Sequence, residues 1–474
     1  MTLEYWEHVA ANIKAVLTEN DDQCLEILSL SYNYLPHHLK PCFLYLTVFP
    51  EDGVITVSEL FTLWVVEGFL KSSSINVKKV AEENLKELIE RNLILVEEVK
   101  FNGKPQTCKI HDLVRDLCIK EARKEKFFYV FKNYVDFNPE EAKCQRRLVL
   151  PTHVIEDKDI EGKFDVIQSM PGNRSIVILG DGTRLKCGSE LLRVLIHSNA
   201  NIEFQKEITK LVNIRMLGIT MIPSSISKLW NLQYLYVLND EEIINLPSDI
   251  WNMPQLRYLG VDHATLPPLP IGTEMPCILK NLDTLSKIKK FRCEDEVLVR
   301  IPNLRKLKIR YDDEDITDWS YYRLQNLVSM SKLENLCCQF DEICTKTLVA
   351  NLGFPVSLKK LTLIGCKISW KHMKIIGDLP NLEILLIRYN AFEGPTWETV
   401  EDNFKKLECL KISVHGLNEW RVDDANHFPS LRFLQLRNCE NLEEIPSSIG
   451  EIPTLEIIDV NFCSDGVILL SKIY

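Results

Sequence analysis

The 474 residues contain no G-x-x-x-x-G-K-[ST] phrase, so the glycine-rich backbone cradle for nucleotide phosphates is missing from them. There is no His-Glu-x-x-His and no Ser-His-Asp order, which argues against an enzyme and leaves no catalytic residue to nominate. Fifteen cysteines are scattered without a CxxC pair. The paired short spacings of a zinc site are therefore absent, and no metal is expected. The opening "MTLEYWEHVAANIKAVL" has neither the basic nor the apolar stretch of a secretory signal, so reduced cytosolic thiols are the expectation. Apolar runs such as "CFLYLTVF" fall far short of a membrane span. A basic excess is also lacking. Net charge is −11, which argues against general nucleic-acid binding.

What is present is a foldable chain, 46% hydrophobic and 26% charged. It is too long for one ordinary core and right for two domains or a repeat array. The second half repeats. "FPSLRFLQLRNC" from Phe428 and "IPTLEIIDVNFC" from Ile452 align without gaps, as do the phrases from Pro355, Leu379 and Phe404. Earlier copies begin near Ser189, Leu211, Leu229, Met253, Leu279, Ile301 and Met330, at intervals of roughly 24 residues, inside the leucine-rich-repeat range. Weaker copies reach back to "RRLVL" at Arg146 and "RSIVI" at Arg174. One repeat cannot bury its apolar face alone, whereas stacked repeats bury a continuous core with one short strand each. Cys366, Cys439, Cys463 and Asn390 share a repeat position, where a small inward residue can satisfy the turn backbone. A "PSxI" phrase follows some strands, at Pro223–Ile226, Pro247–Ile250 and Pro446–Ile449.

The first 145 residues read differently. A helix through Leu25, Leu28 and Ser29 breaks at Pro36, and Pro41 opens another. Ser58 is the expected N-cap of an apolar helix that stops at Gly68. "VAEENLKELIERN" is amphipathic through Leu85, Leu88 and Ile89. A hairpin turning at "FNGKP" follows, then a helix for which Asp112 is the expected cap. Helices, a hairpin and a last helix suggest a winged helix. The helix Glu59–Leu70 carries no Arg or Lys to reach phosphates or base edges, so DNA binding is not expected. The expected fold is mixed α and α/β: a helical winged-helix domain followed by a leucine-rich-repeat solenoid, or horseshoe.

"LSLSYNYLPHHLKPCFLYLTVFPED", "LWVVEGFL", "LIERNLI" and "KIHDLVRDLC", followed by this repeat type, resemble plant nucleotide-binding leucine-rich-repeat immune receptors. The chain is most similar to their coiled-coil class and to the late blight resistance group of the nightshade family. The resemblance implies residues 1–20 as the end of the preceding helical nucleotide-binding subdomain, 21–145 as the winged helix and 146–474 as the repeats. It also implies an N-terminally truncated chain, with no ATPase activity expected of it. In the family a Met-His-Asp phrase ends the nucleotide-binding region. Here it reads Ile110, His111, Asp112. The family implies that the His contacts the β-phosphate of ADP and holds the receptor closed, while the Asp fixes local geometry. By residue type alone, His111 could equally be a packed structural histidine. No cofactor is expected in this chain, although the intact family binds ADP or ATP. The implied function is effector recognition through the repeats, triggering a defence response and hypersensitive cell death in the intact receptor. The implied location is cytoplasmic, with peripheral membrane attachment on activation. A free-standing repeat scaffold or decoy is the rival.

Residues flanking the inward leucines should point out from the strands. From the Ile301 copy to the Phe428 copy they include Lys306, Lys308, Arg310, Lys360, Arg388, Lys411 and Arg437, seven basic and no acidic residues. Further toward the N-terminus the same positions give Tyr234, Tyr236 and Tyr258. The cations are expected to align on adjacent strands as a basic lane beside an aromatic cluster. Such a surface suits a protein partner, either a pathogen effector or guarded host protein, or the receptor's own nucleotide-binding region. It could also be a solvated face whose charge bias is accidental. Oligomers are expected only of the intact activated receptor.

Overall fold

The computed structural model describes residues 28–70, 77–131, 138–150, 172–178, 191–197, 208–237, 244–269, 277–312, 319–341 and 353–471. It divides into two compact units, Met1–Thr220 and Met221–Tyr474. The expected remnant at 1–20 lies outside the described residues.

The first unit opens with the winged helix. Helix α1 (Lys40–Leu44) has Pro41 in its first turn, where the missing N–H costs nothing. Strand β1 (Ile55–Thr56) leads into α2 (Val57–Glu67). The cap position of α2 is Thr56 rather than Ser58. Ser58 lies inside the helix, where its carbonyl accepts from the Thr62 hydroxyl at 2.8 Å. As expected, α2 stops at Gly68, whose φ of 81° returns its N–H to the carbonyls of Trp64 and Val65. Only glycine adopts that conformation without strain. Helix α3 (Val77–Glu90) buries Ala81, Leu85 and Leu88 on one face. Strands β2 (Leu95–Val99) and β3 (Pro105–Lys109) form the hairpin, and β3 also pairs with β1 in an antiparallel sheet. Helix α4 (Asp112–Lys124) closes the domain over Leu117 and Cys118, both fully buried.

The same unit continues into parallel strands β4 (Tyr129–Val130), β5 (Arg147–Leu150), β6 (Ser175–Ile178), β7 (Val194–His197) and β8 (Met216–Ile219). The weak copies at Arg146 and Arg174 are therefore real strands.

In the second unit every repeat contributes a parallel strand in register with its neighbours. Leu235, Leu259, Leu285, Leu307, Leu336, Leu361, Leu385, Leu410 and Leu434 lie at or below 2% exposure, one per strand. This column of leucines is the continuous core that a single repeat lacks. Side-chain amides tie four of the turns to the previous repeat: Asn281 donates to the Pro254 carbonyl, Asn303 to Lys280, Asn381 to Val356 and Asn441 to His415. The thiols of Cys366, Cys439 and Cys463 face the carbonyls of Cys338, Ile412 and Leu436 at 3.8, 3.8 and 3.5 Å. Asn390 does not share their inward role. It is exposed with φ 52°, and the adjacent Ala391 is the small buried residue. The "PSxI" phrases begin short helical turns that bury Ile226, Ile250 and Ile449. Trp370, Trp397 and Trp420 stack with centroids 5.1 and 5.0 Å apart, joining three successive repeats.

Candidate functional site

His111 caps α4. Its backbone is extended, and its Nδ1 accepts from the Leu113 N–H at 3.3 Å. The expected cap, Asp112, is instead the first helical residue and is exposed. There its charge still complements the positive end of the helix dipole, but it satisfies no backbone donor. The reason is position: a cap residue keeps extended dihedrals, and the chain becomes helical one residue earlier than expected. Because Nδ1 accepts, the ring proton sits on Nε2. His111 is exposed, so that N–H is available to an outside oxygen. Ile110, in the place of the family's Met, is buried at 6% exposure. Cys108, two residues earlier, lies at 0% and its thiol is pushed up to about 11, mainly by burial, so it is a packing residue.

At the other end of the winged helix, α2 meets the first repeats. The Glu67 side chain is 0% exposed and that of Arg147 is 5% exposed. The Glu67 carboxylate accepts from Arg147 Nε at 3.0 Å and Nη2 at 2.9 Å, and from the Ser175 hydroxyl. The Arg147 guanidinium also stacks over Phe127, 4.2 Å from its centroid. Tyr45 is fully buried nearby. Burial first, and the Glu67 charge second, push its phenol well above the usual range. The carbonyls of Glu67 and Val66 accept from Arg193 at 3.5 Å and Arg215 at 3.4 Å. Cations at a helix C-terminus are favourable. This clamp joins α2, β5 and β6 and contains none of the residues nominated from sequence. No local pattern marks Glu67, Arg147 and Ser175 as partners; what the sequence does carry is the flanking series, an arginine before the aliphatic run in four successive copies, "RRLVL", "RSIVI", "RVLIH" and "RMLGI".

On the second unit's strands the nominated residues alternate outward with the buried leucines. Tyr258 folds back over Gly260, where a Cβ would come within 2.5 Å of the ring. It stacks on Tyr236 and Tyr234 with centroids 4.6 and 6.3 Å apart. The cations do not fall into one lane on adjacent strands. Lys306 and Lys360 are separated in register by Asn335. Lys308 and Lys411 are separated by Cys337, Thr362 and Leu386, and Arg310 and Arg388 by Gln339 and Ile364. Same-lane cations among those nominated are thus two or more strand steps apart, about 10 Å at the closest. Acids also neutralise part of the surface. Arg310 is held bidentate by Asp341, at 2.7 Å for Nη2, and Arg437 lies 3.7 Å from Asp459. Lys411 sits 4.8 Å over the Phe433 ring. Lys306, Lys308 and Arg388 are exposed.

Residues 48–118 match the disease resistance protein winged helix domain, and 174–369 match a leucine-rich repeat region. The chain is 31% identical to the late blight resistance protein R1-A of Solanum demissum over 98% of its own length and 37% of that protein's. It is 28% identical to the probable disease resistance RPP8-like protein 2 of Arabidopsis thaliana, over 97% of its length and 55% of that protein's. The chain therefore spans between about a third and a little over half of the relatives it matches. Among solved structures, the complex of TLR13 with single-stranded RNA overlays 69% of this chain and 56% of that one, with a TM-score of 0.40 at 13% identity. No helix among the described residues is long and apolar enough to cross a membrane.

Proposed function

This chain belongs to the plant disease-resistance proteins that join a winged helix to leucine-rich repeats, and we propose that it forms the sensing part of an intracellular, non-enzymatic immune receptor. A partner engages the tyrosine and basic surface of the repeats. The partner is a pathogen effector, a guarded host protein or the receptor's own nucleotide-binding region. The winged helix holds the receptor closed by reading ADP bound in that region. Release leads to oligomers and cell death in the cytoplasm.

The observation that carries this reading is the capping geometry of His111. Nδ1 is committed to the Leu113 N–H, which fixes the ring and leaves Nε2–H exposed as a donor. A bound β-phosphate can accept from such a donor, and a ligand that contacts only the closed state shifts the population toward it. The test is transient leaf expression of a full-length receptor carrying these residues. His111→Ala removes both cap and phosphate contact and is expected to give effector-independent cell death. His111→Asn restores a cap without an imidazole donor in the same place, so it should also be autoactive if phosphate contact is the role. An Asn variant as quiet as wild type would reduce His111 to a helix cap.

A further inference from the structure

We propose that the arginine ladder at the edge of the first repeats binds a small, multiply phosphorylated anion. Arg146, Arg174, Arg193 and Arg215 are the residues just before successive strands. The backbone N–H groups of Arg174, Arg193 and Arg215 each bond to the carbonyl of the arginine before, at 2.7, 2.6 and 2.8 Å. Parallel strand spacing places the four within about 14 Å from first to last. Arg147 adds a fifth guanidinium beside them, and the Glu67 carboxylate that balances it is already filled by Arg147 and Ser175.

Among the described residues, Glu67 is the one acid whose charge reaches Arg174 and Arg193, and it is shared with Arg147. Arg193 and Arg215 each donate one long bond to a backbone carbonyl at the end of α2, and other N–H groups of each fork remain for a ligand. Arg146 and Arg174 make no side-chain hydrogen bond or ion pair with another described residue, and Arg146 is exposed. Burial, followed by repulsion from neighbouring arginines, holds the Arg174 and Arg193 guanidiniums below their usual range. The column is under electrostatic stress that an anion would relieve.

The corresponding edge of the second unit shows that the repeats need no such excess. There Asp283 pairs with Arg305 at 3.7 Å, Glu334 with Lys359 at 3.7 Å and Glu456 with Arg432 at 2.7 Å. The ladder is also entirely arginine. The planar fork matches phosphate oxygens two at a time, whereas lysine offers a point charge. A column about 14 Å long spans more than one phosphate group, which favours a ligand carrying several. This assignment does not depend on the immune reading or on His111.

A free oligophosphate and a phosphorylated lipid headgroup share this chemistry. Two probes separate them: inorganic tripolyphosphate, and phosphatidylcholine vesicles containing phosphatidylinositol bisphosphate. Each is titrated into the 474-residue chain at constant ionic strength. Saturable binding of at least one probe is expected, weakened at least tenfold in Arg146→Gln/Arg174→Gln and severalfold in Arg174→Lys. The probe that shows this dependence identifies the source. Removing two repelling charges should leave the melting temperature equal or higher, so loss of fold does not confuse the result; Arg146→Gln alone, at an exposed position, is the fallback and should weaken binding about threefold. Lys308→Gln/Lys411→Gln should bind as wild type. The proposal is overturned if neither probe binds, if the ladder variants bind equally well, or if only the Lys308 and Lys411 variant loses binding.

Discussion

In the first unit the residue before successive strands is Arg146, Arg174, Arg193 and Arg215; in the second the series runs Gln233, Arg257, Asp283, Arg305, Glu334, Lys359, Glu383, Glu408, Arg432, Glu456. The backbone does the same thing at every one of these positions, so architecture does not explain the contrast. Neighbours about 4.8 Å apart feel one another's charge. Where signs mostly alternate, the column compensates itself and asks nothing of its surroundings. Where every member is arginine, compensation must come from outside the column. Part of it is visible as the C-terminal carbonyls of α2 and the buried Glu67. The difference teaches that a repeat position becomes informative when its charges fail to cancel, and that a count of cations on a face is a weaker signal than their register.

The comparison breaks most severely at Glu67. Glu67→Ala leaves the Arg147 guanidinium buried without its carboxylate, and removing one partner of such a pair costs about 3–5 kcal/mol. The loss should be confined to the first unit. Hydrogen exchange should rise in α2, β5 and β6 and stay unchanged in the strands from Lys360 to Asn461. Replacing both partners, as in Glu67→Leu/Arg147→Met, should recover most of the loss, because the penalty lies in the stranded charge more than in the missing bond. Unaltered exchange in the first unit of the single variant would remove the clamp from the account.

Periodicity made the winged helix and the repeats legible, including the weak copies at Arg146 and Arg174, because each element repeats an apolar pattern with its own period. The stop at Gly68 was legible because its conformation suits one residue type. The cap of α4 was misplaced by one residue. Asp is the commoner cap by type, and only the observed dihedrals give the role to His111. Asn390 was aligned with the cysteines by count, but a two-residue left-handed turn at Tyr389 and Asn390 moves the inward position to Ala391. The clamp was not legible. It joins residues 80 and 108 positions apart, and no local pattern announces that Glu67 meets Arg147 and Ser175. The basic lane was over-read because the outward positions were pooled without their register.

A smaller effect sharpens the contrast by exchanging the two edge patterns. Arg174→Glu sets one acid between Arg146 and Arg193 in the first column and should stabilise that unit by about 0.5 kcal/mol in the absence of phosphate. Glu334→Arg makes a run of three cations with Arg305 and Lys359 and should destabilise the second unit by a similar, roughly 0.5 kcal/mol. Denaturant titration at low salt measures both, and at about 0.5 M salt both should shrink, since exposed charges are screened over a few ångströms there. Changes of the same sign in the two variants would mean that column electrostatics is not what separates the units.

The smallest stability effect is expected on the second unit's outward face, where the functional effect should be large. Lys308, Arg388 and Lys411 lie in lanes that separate like charges by neutral residues, so little repulsion is stored among them. Reversing all three to Glu removes no buried partner. Lys411 gives up its place over Phe433, a contact of the kind that contributes about 0.5 kcal/mol at exposed sites. The midpoint of denaturation should therefore move by no more than about 0.5 kcal/mol equivalent per site, the usual range for surface changes. An acidic partner would feel the reversal directly. Its association should weaken strongly, and what remains should depend less on salt, because the attraction that salt screens is gone. Pull-down with a nucleotide-binding region of this family as bait, and separately with any recognised pathogen protein, in a matched-salt series, reads the effect. Equal recovery of wild type and triple variant at every salt concentration, with both baits, would make this face a solvated surface and leave the first unit's ladder as the one charged feature with a counterpart to find.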